Sequence, residues 1–441
     1  MLTFHRTQNW TRALCLGAIL TGTSLNPSGA AGAAVDNGTG AYATGRYPNL
    51  FVEAGQSPAA VRAKIDGAFQ QLFHGNPTNQ AIYYTAGSNS NGPLAYITDI
   101  KHNDVRTEGL SYGMIISVEL DRKAEFDALW NWSKTYLYHA DPAHPSFGFF
   151  SWQARTNGQV MSQFVAPDGE SYYVMALYFA ANRWGNGRGI YDYKSEADRL
   201  LTDMRHRAQI TGPVTGTWRG TNRTTQVTAG PLFHPGHKMI VFSPSSERPQ
   251  FTDPSYHLPA YYELWARWGP PADREFWLEA AQVSRDYFQR VADPKTGLTP
   301  DYANFDGTFV TNGWNAGSKN FRYDAFRTAG NWSVDWSWWG RDPRERELSD
   351  RLQAFFEAQG MDAYGCQFTL DGRVLEVRHA QGLVAVNAVA SLAATQPRAR
   401  AFVEALWNTP VPDGLERYYE GLLYMMALLH CGGEFRIWPP R

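Results

Sequence analysis

Apolar positions recur at helical spacing along most of the chain. At residues 125–130, for example, apolar and charged side chains separate onto two faces of a helix. This periodicity predicts twelve helices, at residues 59–73, 108–120, 123–137, 169–183, 193–209, 255–268, 274–290, 322–338, 344–358, 381–394, 398–407 and 417–430. The segments 75–107, 138–167, 211–254 and 292–321 are rich in Gly, Pro, Asn and Asp, and we interpret them as long loops.

The predicted helices follow one another in pairs, and no low-complexity linker divides them. An even series of helix pairs indicates an all-α toroid, in which inner helices surround a cavity and outer helices cover them. Helical periodicity alone equally allows a solenoid, but the chain shows no fixed-period repeat of the kind that solenoids have. Residues 369–374 predict a minor β-hairpin. We therefore expect a single domain at 34–441.

The first 33 residues have the pattern of a secretory signal peptide. Arg6 and Arg12 supply positive charge, 13–20 is a short apolar run, and Ala31-Gly-Ala33 is a small-residue cleavage site. The apolar run is too short to span a bilayer. We expect 1–33 to be removed and a mature protein without a membrane segment to reach the periplasm or the medium.

Composition narrows the function further. A net charge of −2 gives no electrostatic case for binding nucleic acid or an anionic membrane. Aromatic residues make up 14% of the chain, with 16 Trp and 23 Tyr. Such rings either fill the core or stack on sugar rings. Removal of the signal peptide leaves Cys366 and Cys431, which we expect to be two separate buried thiols, although export permits a disulfide.

Three carboxylates precede or begin predicted helices. Glu108 follows Thr107, a plausible helix N-cap, and apolar neighbours could raise its pKa toward that of a general acid; alternatively it stabilises the helix dipole. Asp324 lies one helical turn before Arg327, which could keep it ionised as a general base, or the two form an ordinary surface ion pair. Asp168 is either a turn residue or a third functional carboxylate.

Other chemistries have weaker support. His234 and His237 lack further ligands nearby, so we expect no metal site there. The chain contains no Gly-rich phosphate loop and no nucleophile-elbow Ser.

Six segments together resemble glycoside hydrolase family 8, in its xylan-active branch. They are Asp-Val-Arg-Thr-Glu-Gly-Leu-Ser-Tyr-Gly-Met at 104–114, Ala-Pro-Asp-Gly-Glu at 166–170, Asn-Arg-Trp-Gly at 182–185, Thr-Asp-Pro-Ser-Tyr-His-Leu-Pro at 252–259, Asp-Ala-Phe-Arg at 324–327 and Arg-Tyr-Tyr-Glu-Gly-Leu-Leu-Tyr at 417–424. They occur in the family's order across nearly the whole mature chain.

This resemblance implies an (α/α)6 barrel and inverting hydrolysis of β-1,4-linked xylose without a cofactor. Glu108 would be the general acid, Asp324 the general base, and Asp168 the carboxylate that holds the distorted sugar and the water. Trp152 matches an aromatic residue on the glycone side of the cleft. The remaining predicted substrate-binding residues are Arg106, Tyr256, Arg327, His379, Tyr418 and Tyr419. We expect a monomer whose partner is xylan or a xylo-oligosaccharide.

The resemblance does not decide whether the enzyme releases xylose from chain ends (exo action) or cleaves inside the polymer (endo action). In the reducing-end xylose-releasing members, a Leu-His-Pro loop before a late inner helix closes one end of the cleft. That helix resembles 382–387 here, and the preceding residues are Arg378-His379-Ala380, which keep the His alone. His379 could bind the reducing-end hydroxyl or face solvent. We predict reducing-end release of xylose, with a secreted endo-xylanase as the alternative, because polymer cutters must work outside the cell.

Two hypotheses from other classes remain open. One is a non-catalytic carbohydrate-binding toroid, which would keep the aromatic cleft and lack turnover. The other is a structural, protein-binding helical array, which would be inert to sugars.

Overall fold

The computed structural model describes residues 39–218, 221–245, 250–311 and 315–441. The predicted signal peptide lies outside the described residues. In chain order the α-helices are α1 (Ala41–Thr44), α2 (Leu50–Glu53), α3 (Pro58–His74), α4 (Thr107–Glu119), α5 (Lys123–Tyr136), α6 (Pro167–Trp184), α7 (Tyr193–His206), α8 (Pro259–Trp268), α9 (Arg274–Val291), α10 (Phe326–Trp339), α11 (Arg344–Gln359), α12 (Gln381–Val389), α13 (Ala399–Asn408) and α14 (Tyr419–Cys431).

The twelve predicted helices correspond to α3–α14, so their prediction is confirmed, while some of their boundaries differ. The helix predicted to begin at 322 begins at Phe326, because backbone hydrogen bonds between Phe321 and Phe368 hold Phe321 in an extended bridge. The helix predicted from 255 begins at Pro259, which suits the first helical position. Thr107 is the first helical residue of α4, and the N-cap is Arg106, so the N-cap prediction was wrong.

The long helices pack in two sets. The first set consists of α4, α6, α8, α10, α12 and α14, and each member contacts one or two others of the set. Helix α4 packs on α6, α8 on α10, α10 on α12, α12 on α14, and α14 on α4. Each member of the second set, α3, α5, α7, α9, α11 and α13, packs on one member of the first set. In α4, α6 and α14 nearly every residue is buried, as expected for helices covered on all sides.

The segments interpreted as loops also contain strands. These are β1 (Tyr83–Asn89), β2 (Gly92–Asp99), β3 (Asp104–Arg106), β4 (Gln153–Ala154), β5 (Val160–Ser162), β6 (Ile210–Trp218), β7 (Thr221–Ala229), β8 (Phe233–His234), β9 (Met239–Ile240), β10 (Phe251–Thr252), β11 (Ala303–Asn304), β12 (Gln367–Phe368) and β13 (Val374–Glu376). Strands β1–β7 form one antiparallel sheet in sequence order.

The prediction of an all-α fold with only a minor hairpin was therefore incomplete. The hairpin itself is confirmed as β12 and β13. The seven-stranded sheet was missed because β3, β4 and β5 have only two or three residues each, too few for a period-two pattern, and because β6 carries Gly and Pro. The pairings of β3 with β4 and of β5 with β6, which join the sheet into one, connect segments that are far apart in sequence.

Two further predictions concern the core and the membrane. Cys366 and Cys431 are both buried free thiols, as expected. Within the described ranges, no helix combines the length and the apolarity that crossing a membrane requires.

Candidate active site

One guanidinium group joins the three predicted carboxylates. Arg327 Nη1 lies 2.9 Å from Glu108 Oε2 and 3.0 Å from Asp168 Oδ2, and Nη2 lies 3.1 Å from Asp324 Oδ1. Nη1 also lies 2.8 Å from the Tyr112 hydroxyl. Arg327 is 5% exposed, so these contacts form in a largely water-excluded site. Residues separated by more than two hundred positions along the chain thus meet around one cation.

Helix starts deliver these side chains. Glu108 and Asp168 lie in the first turns of α4 and α6, and Arg327 lies in the first turn of α10. Asp324 precedes α10 in a turn, not inside the helix as the sequence predicted. The starts of α4 and α6 approach closely, since a Cβ atom at Gly169 would lie 2.6 Å from Thr107 Cβ.

Glu108 has the environment of a proton donor. Burial raises its pKa from 4.5 to about 7, and the negative charges of Asp168 and Asp324 add to the rise against the opposing effect of Arg327. The Tyr418 hydroxyl lies 3.1 Å from Glu108 Oε1 and can donate to it. A substantial fraction of the molecules therefore has Glu108 protonated near neutral pH, as a general acid requires.

The other two carboxylates differ in access to solvent. The Asp324 side chain is 30% exposed, against 15% for Glu108 and 7% for Asp168. Asp168 Oδ1 accepts a hydrogen bond from the Gly169 N–H at 2.9 Å. Burial raises the pKa of Asp168, and Arg327 opposes this. Asp324 is thus the member best placed to meet a water molecule, and Asp168 is the most confined.

The sheet places Trp152 and Arg106 beside Glu108. The Thr107 N–H donates to the carbonyl of Trp152 at 3.0 Å, which extends the pairing of β3 with β4 to the start of α4. The Arg106 guanidinium lies 5.8 Å from the Trp152 ring centroid and is paired with Asp99 and Asp104, each at 2.9 Å. Its charge is therefore balanced by the carboxylates of its own sheet.

Two cavities, each of about 470 Å³, meet at the reacting groups. Both are lined by Arg106, Glu108, Tyr302 and Asp324. The Trp152 cavity also includes Ser162, Phe164, Asp168, Gly216, Arg223, Thr225, Val227, Phe242, Ser243 and Tyr256 in its wall. The Tyr419 cavity also includes Lys101, Asp301, Arg322, Tyr323, Arg378, Leu415, Tyr418 and Tyr419. A chain lying through both would pass directly over Glu108 and Asp324.

The predicted tyrosines divide between these cavities. Tyr256 lines the Trp152 cavity, and its ring centroid lies 5.9 Å from the Arg327 guanidinium. Tyr418 and Tyr419 line the other cavity. The Tyr419 hydroxyl donates to the carbonyl of Tyr323 at 2.6 Å, which fixes its ring at the cavity wall.

His379 lies apart from both cavities in the described part of the chain. Its Nδ1 is 2.9 Å from the carbonyl of Tyr364, which can only accept, so Nδ1 carries the proton. The preceding residue, Arg378, lines the Tyr419 cavity instead and pairs with Glu420. The predicted contact of His379 with a reducing-end sugar therefore stays a prediction, and it requires movement of this loop.

Two buried acids beside the site were missed by the sequence analysis. Asp301 Oδ1 accepts a long hydrogen bond of 3.5 Å from the N–H of Ala325, the residue after Asp324. Burial and the charge of Asp324 raise the pKa of Asp301. Asp253 is fully buried and accepts from the Ser255 N–H at 2.7 Å. Asp253 lay within a family-like segment, whereas nothing in the sequence around Asp301 indicated its position.

Metal chemistry finds little support among the residues that the structure describes. They include no cluster of three or more His, Cys, Asp or Glu side chains placed to hold an ion. The His234 and His237 rings pack against Phe305.

Comparisons with known proteins show the family of the chain. Residues 82–433 match the sequence model described as Glycosyl hydrolases family 8. A curated relative, the reducing-end xylose-releasing exo-oligoxylanase Rex8A of Paenibacillus barcinonensis, is 39% identical over 403 residues, covering 91% of this chain and 99% of the relative. A similarly named enzyme of Halalkalibacterium halodurans is 39% identical over 405 residues, covering 91% of this chain and 97% of that protein.

Solved structures are similar as well. The GH8 xylobiose complex from Teredinibacter turnerae has a TM-score of 0.87 and 53% identity, covering 91% of this chain and 100% of that one. A catalytic mutant of the xylanase from the same organism, in a xylohexaose complex, has the same TM-score, identity and coverage.

Proposed function

The chain belongs to glycosyl hydrolase family 8, and from this membership we propose that it hydrolyses β-1,4-xylosidic bonds with inversion, releasing xylose from the reducing end of xylo-oligosaccharides. One observation carries the proposal: Glu108, whose pKa is raised by burial, and a solvent-accessible Asp324 share Arg327 at the boundary of two cavities. The relatives' names supply the substrate class.

The proposed reaction is a single displacement. Glu108 donates its proton to the glycosidic oxygen as the bond from that oxygen to the anomeric carbon breaks. Asp324 removes a proton from a water molecule, whose oxygen attacks the anomeric carbon from the opposite face. Inverting enzymes keep the two carboxyl groups roughly 6.5–9.5 Å apart so that this water fits. Contacts to separate nitrogens of one guanidinium are consistent with such a gap.

Arg327 and Asp168 organise the two reacting groups. Arg327 holds Asp324 in place through the contact of 3.1 Å between Nη2 and Oδ1. The same cation limits the rise in the pKa of Glu108. Asp168, confined beside Arg327, is the proposed contact for the distorted sugar and the water.

We also propose that α3–α14 form an (α/α)6 barrel. The first helix set supplies the inner ring and the second set the outer ring, as the contacts around α4, α6, α8, α10, α12 and α14 support. The inner helices α4, α6 and α10 bring their N-terminal ends to the carboxylate cluster. From the N-terminal sequence we propose that the enzyme is exported after cleavage near Ala33. We also propose, as the family resemblance led us to expect, that it acts as a monomer.

A second candidate, internal cleavage of xylan, is favoured by two observations. The Tyr419 cavity is as large as the Trp152 cavity, and the exposed Leu415 and Tyr323 extend its wall. His379 is turned toward the Tyr364 carbonyl and does not close that cavity. A xylan chain therefore has room to continue beyond the first sugar on this side.

Product analysis separates these modes. Chromatography should show free xylose from xylotetraose and none from reduced xylotetraose if the enzyme trims reducing ends; mixed internal products from both would establish endo cleavage. Nuclear magnetic resonance of the first products should show the α-anomer, and an initial β-anomer would contradict inversion.

Variants of the two reacting groups test the chemistry itself. Asp324→Asn should lower kcat by about 10²–10⁴ with little change in melting temperature, because it removes the general base. Unchanged activity would refute its assignment.

Glu108→Ala should abolish hydrolysis while leaving sugar binding. Wild-type protein that binds xylo-oligosaccharides without turnover would instead support the non-catalytic toroid, and the absence of any binding would support the structural array.

A further inference from the structure

We propose that the Trp152 cavity accepts xylan carrying an acidic sugar substituent, and that Arg223 binds the carboxylate of that substituent. The proposal rests on the xylan-hydrolysing function proposed above and names a narrower substrate class. It concerns a residue of the cavity wall that has no part in the reaction proposed above.

Strand register places the Arg223 side chain in this cavity. Arg223 on β7 pairs with Gly216 on β6, and directly opposed residues of an antiparallel pair project to the same face of a sheet. A Cβ atom at Gly216 would lie 3.2 Å from Phe164 Cε2 and 3.4 Å from Ser162 Oγ. Phe164 and Ser162 both line the cavity, as Arg223 does. Because Gly216 has no side chain, the Phe164 ring packs directly over it, on the face of the sheet to which Arg223 projects.

Among the described residues, no carboxylate pairs with the charge of Arg223. The charged residues in the wall of the Trp152 cavity are Arg106, Glu108, Asp168, Arg223 and Asp324. Three of them are the carboxylates around Arg327, and Arg106 is paired with its own sheet. Among the described residues Arg223 forms neither an ion pair nor a side-chain hydrogen bond. It is therefore available to a ligand.

Arg223 stands at the rim of the cavity. Along β7, Val227 is buried, whereas Thr225 and Arg223 are exposed. Four residue steps separate Val227 from Arg223, roughly 14 Å of strand. A neutral xylose chain offers such a guanidinium no charge, but an acidic substituent that branches from the chain offers a carboxylate. Arginine binds carboxylates through paired, charge-assisted hydrogen bonds.

Arg223 could serve the fold instead. Strand β7 is an edge of the seven-stranded sheet, and charged side chains on edge strands discourage pairing with other chains. That role depends on charge alone and predicts no effect on the choice of substrate. A comparison of substrates with and without an acidic substituent therefore distinguishes the two explanations.

The experiment compares xylotetraose with xylotetraose carrying one glucuronic acid on an internal xylose. For each enzyme the readout is the ratio of kcat/KM on the substituted sugar to kcat/KM on the plain sugar, measured with the substituent at either internal position. Arg223→Gln should lower this ratio about tenfold for at least one isomer, because it removes a charged hydrogen-bonding partner. Arg223→Lys should lower it less, and added salt should weaken the wild-type preference.

Arg188→Gln is the matched control, because Arg188 is exposed, lies outside both cavities and undergoes the same change of charge. It should leave the ratio unchanged. An unchanged ratio in Arg223→Gln, or an equal drop in Arg188→Gln, would overturn the proposal. Failure to cleave plain xylotetraose would instead count against the proposed function. In that case, calorimetry of both sugars with Asp324→Asn and with Asp324→Asn/Arg223→Gln still decides whether Arg223 favours the acidic ligand.

Discussion

At the scale of single residues, the activity of this site depends on opposing influences on one carboxyl group. Burial raises the pKa of Glu108, and Arg327 lowers it. The Tyr418 hydroxyl, donating to Glu108 Oε1, favours the ionised form. A fully buried acid without the cation would hold its proton too tightly to donate it, and an exposed one would lose it below neutral pH.

The first prediction is a loss of activity on the alkaline side. Glu108 acts in its protonated form, and its pKa of about 7 lies above the ordinary value. The protonated fraction is therefore complete well below that pH and falls as the pH rises through it. We expect kcat/KM on xylotetraose to fall about tenfold per pH unit above neutrality. A full pH profile measures this, and a profile that stays flat through the alkaline range would contradict the assignment.

Tyr418→Phe tests the direction in which Tyr418 shifts the pKa of Glu108. It removes a hydrogen bond that favours ionised Glu108, so the pKa of Glu108 should rise and the alkaline limb should move to higher pH. A shift toward lower pH would show that Tyr418 acts on Glu108 in another way.

At the scale of elements, close packing of helix starts determines the positions of the carboxylates. Thr107 and Gly169 bring the first turns of α4 and α6 into contact, and only a residue without a side chain fits at 169. The sheet adds a second constraint, because β3 and β4 hold Trp152 beside α4.

The second prediction compares one substitution at two helical glycines. Gly169→Ala would place Cβ 2.6 Å from Thr107 Cβ, so α6 must shift and Asp168 must move relative to Arg327. We expect kcat to fall about 10²-fold, since displacements of about 1 Å can have that effect. Overpacking should also lower stability by roughly 1–3 kcal/mol.

Gly67→Ala on α3 is the control, because no atom lies within 4 Å of the added Cβ. It should raise the free energy of unfolding by roughly 0.5–1 kcal/mol and leave kcat unchanged. Urea unfolding and steady-state kinetics measure both variants. Equal effects of the two substitutions would show that the contact between α4 and α6 does not position the site.

At the scale of the whole molecule, the two cavities share Arg106, Glu108, Tyr302 and Asp324 and together form one cleft. Each is large enough for more than the reacting sugar, and both are walled by the sheet and by loops that precede α4, α6, α8, α10, α12 and α14. The length of the bound chain should therefore matter more than the identity of a single sugar.

The third prediction follows from that length. In Asp324→Asn, which should turn over the ligand much more slowly than the wild type, xylohexaose should raise the melting temperature more than xylobiose at the same concentration, because only the longer chain occupies both cavities. Stabilisation of about 2.7 kcal/mol is expected at a concentration 100 times Kd. Maltohexaose, with α-linked glucose, serves as the control ligand. Equal shifts from xylobiose and xylohexaose would mean that only one cavity binds sugar.

Local sequence determined the helices and indicated which residues to propose as the reacting groups. The period of apolar positions is a local property, so α3–α14 could be predicted within a few residues. Glu108, Asp168 and Asp324 could be recognised by their family-like segments, and the contact between Arg327 and Asp324 by their spacing of three residues.

Tertiary structure alone decided how these parts act together. The sheet depends on pairing between short, distant strands, such as β3 with β4, which no local pattern encodes. The pKa of Glu108 depends on burial and on charges from two other segments, and Asp301 is near Asp324 only because the chain folds back on itself. Arg223 faces the Trp152 cavity through its register with Gly216. Burial, charge proximity and strand register arise between segments, so they exist only once the chain has folded.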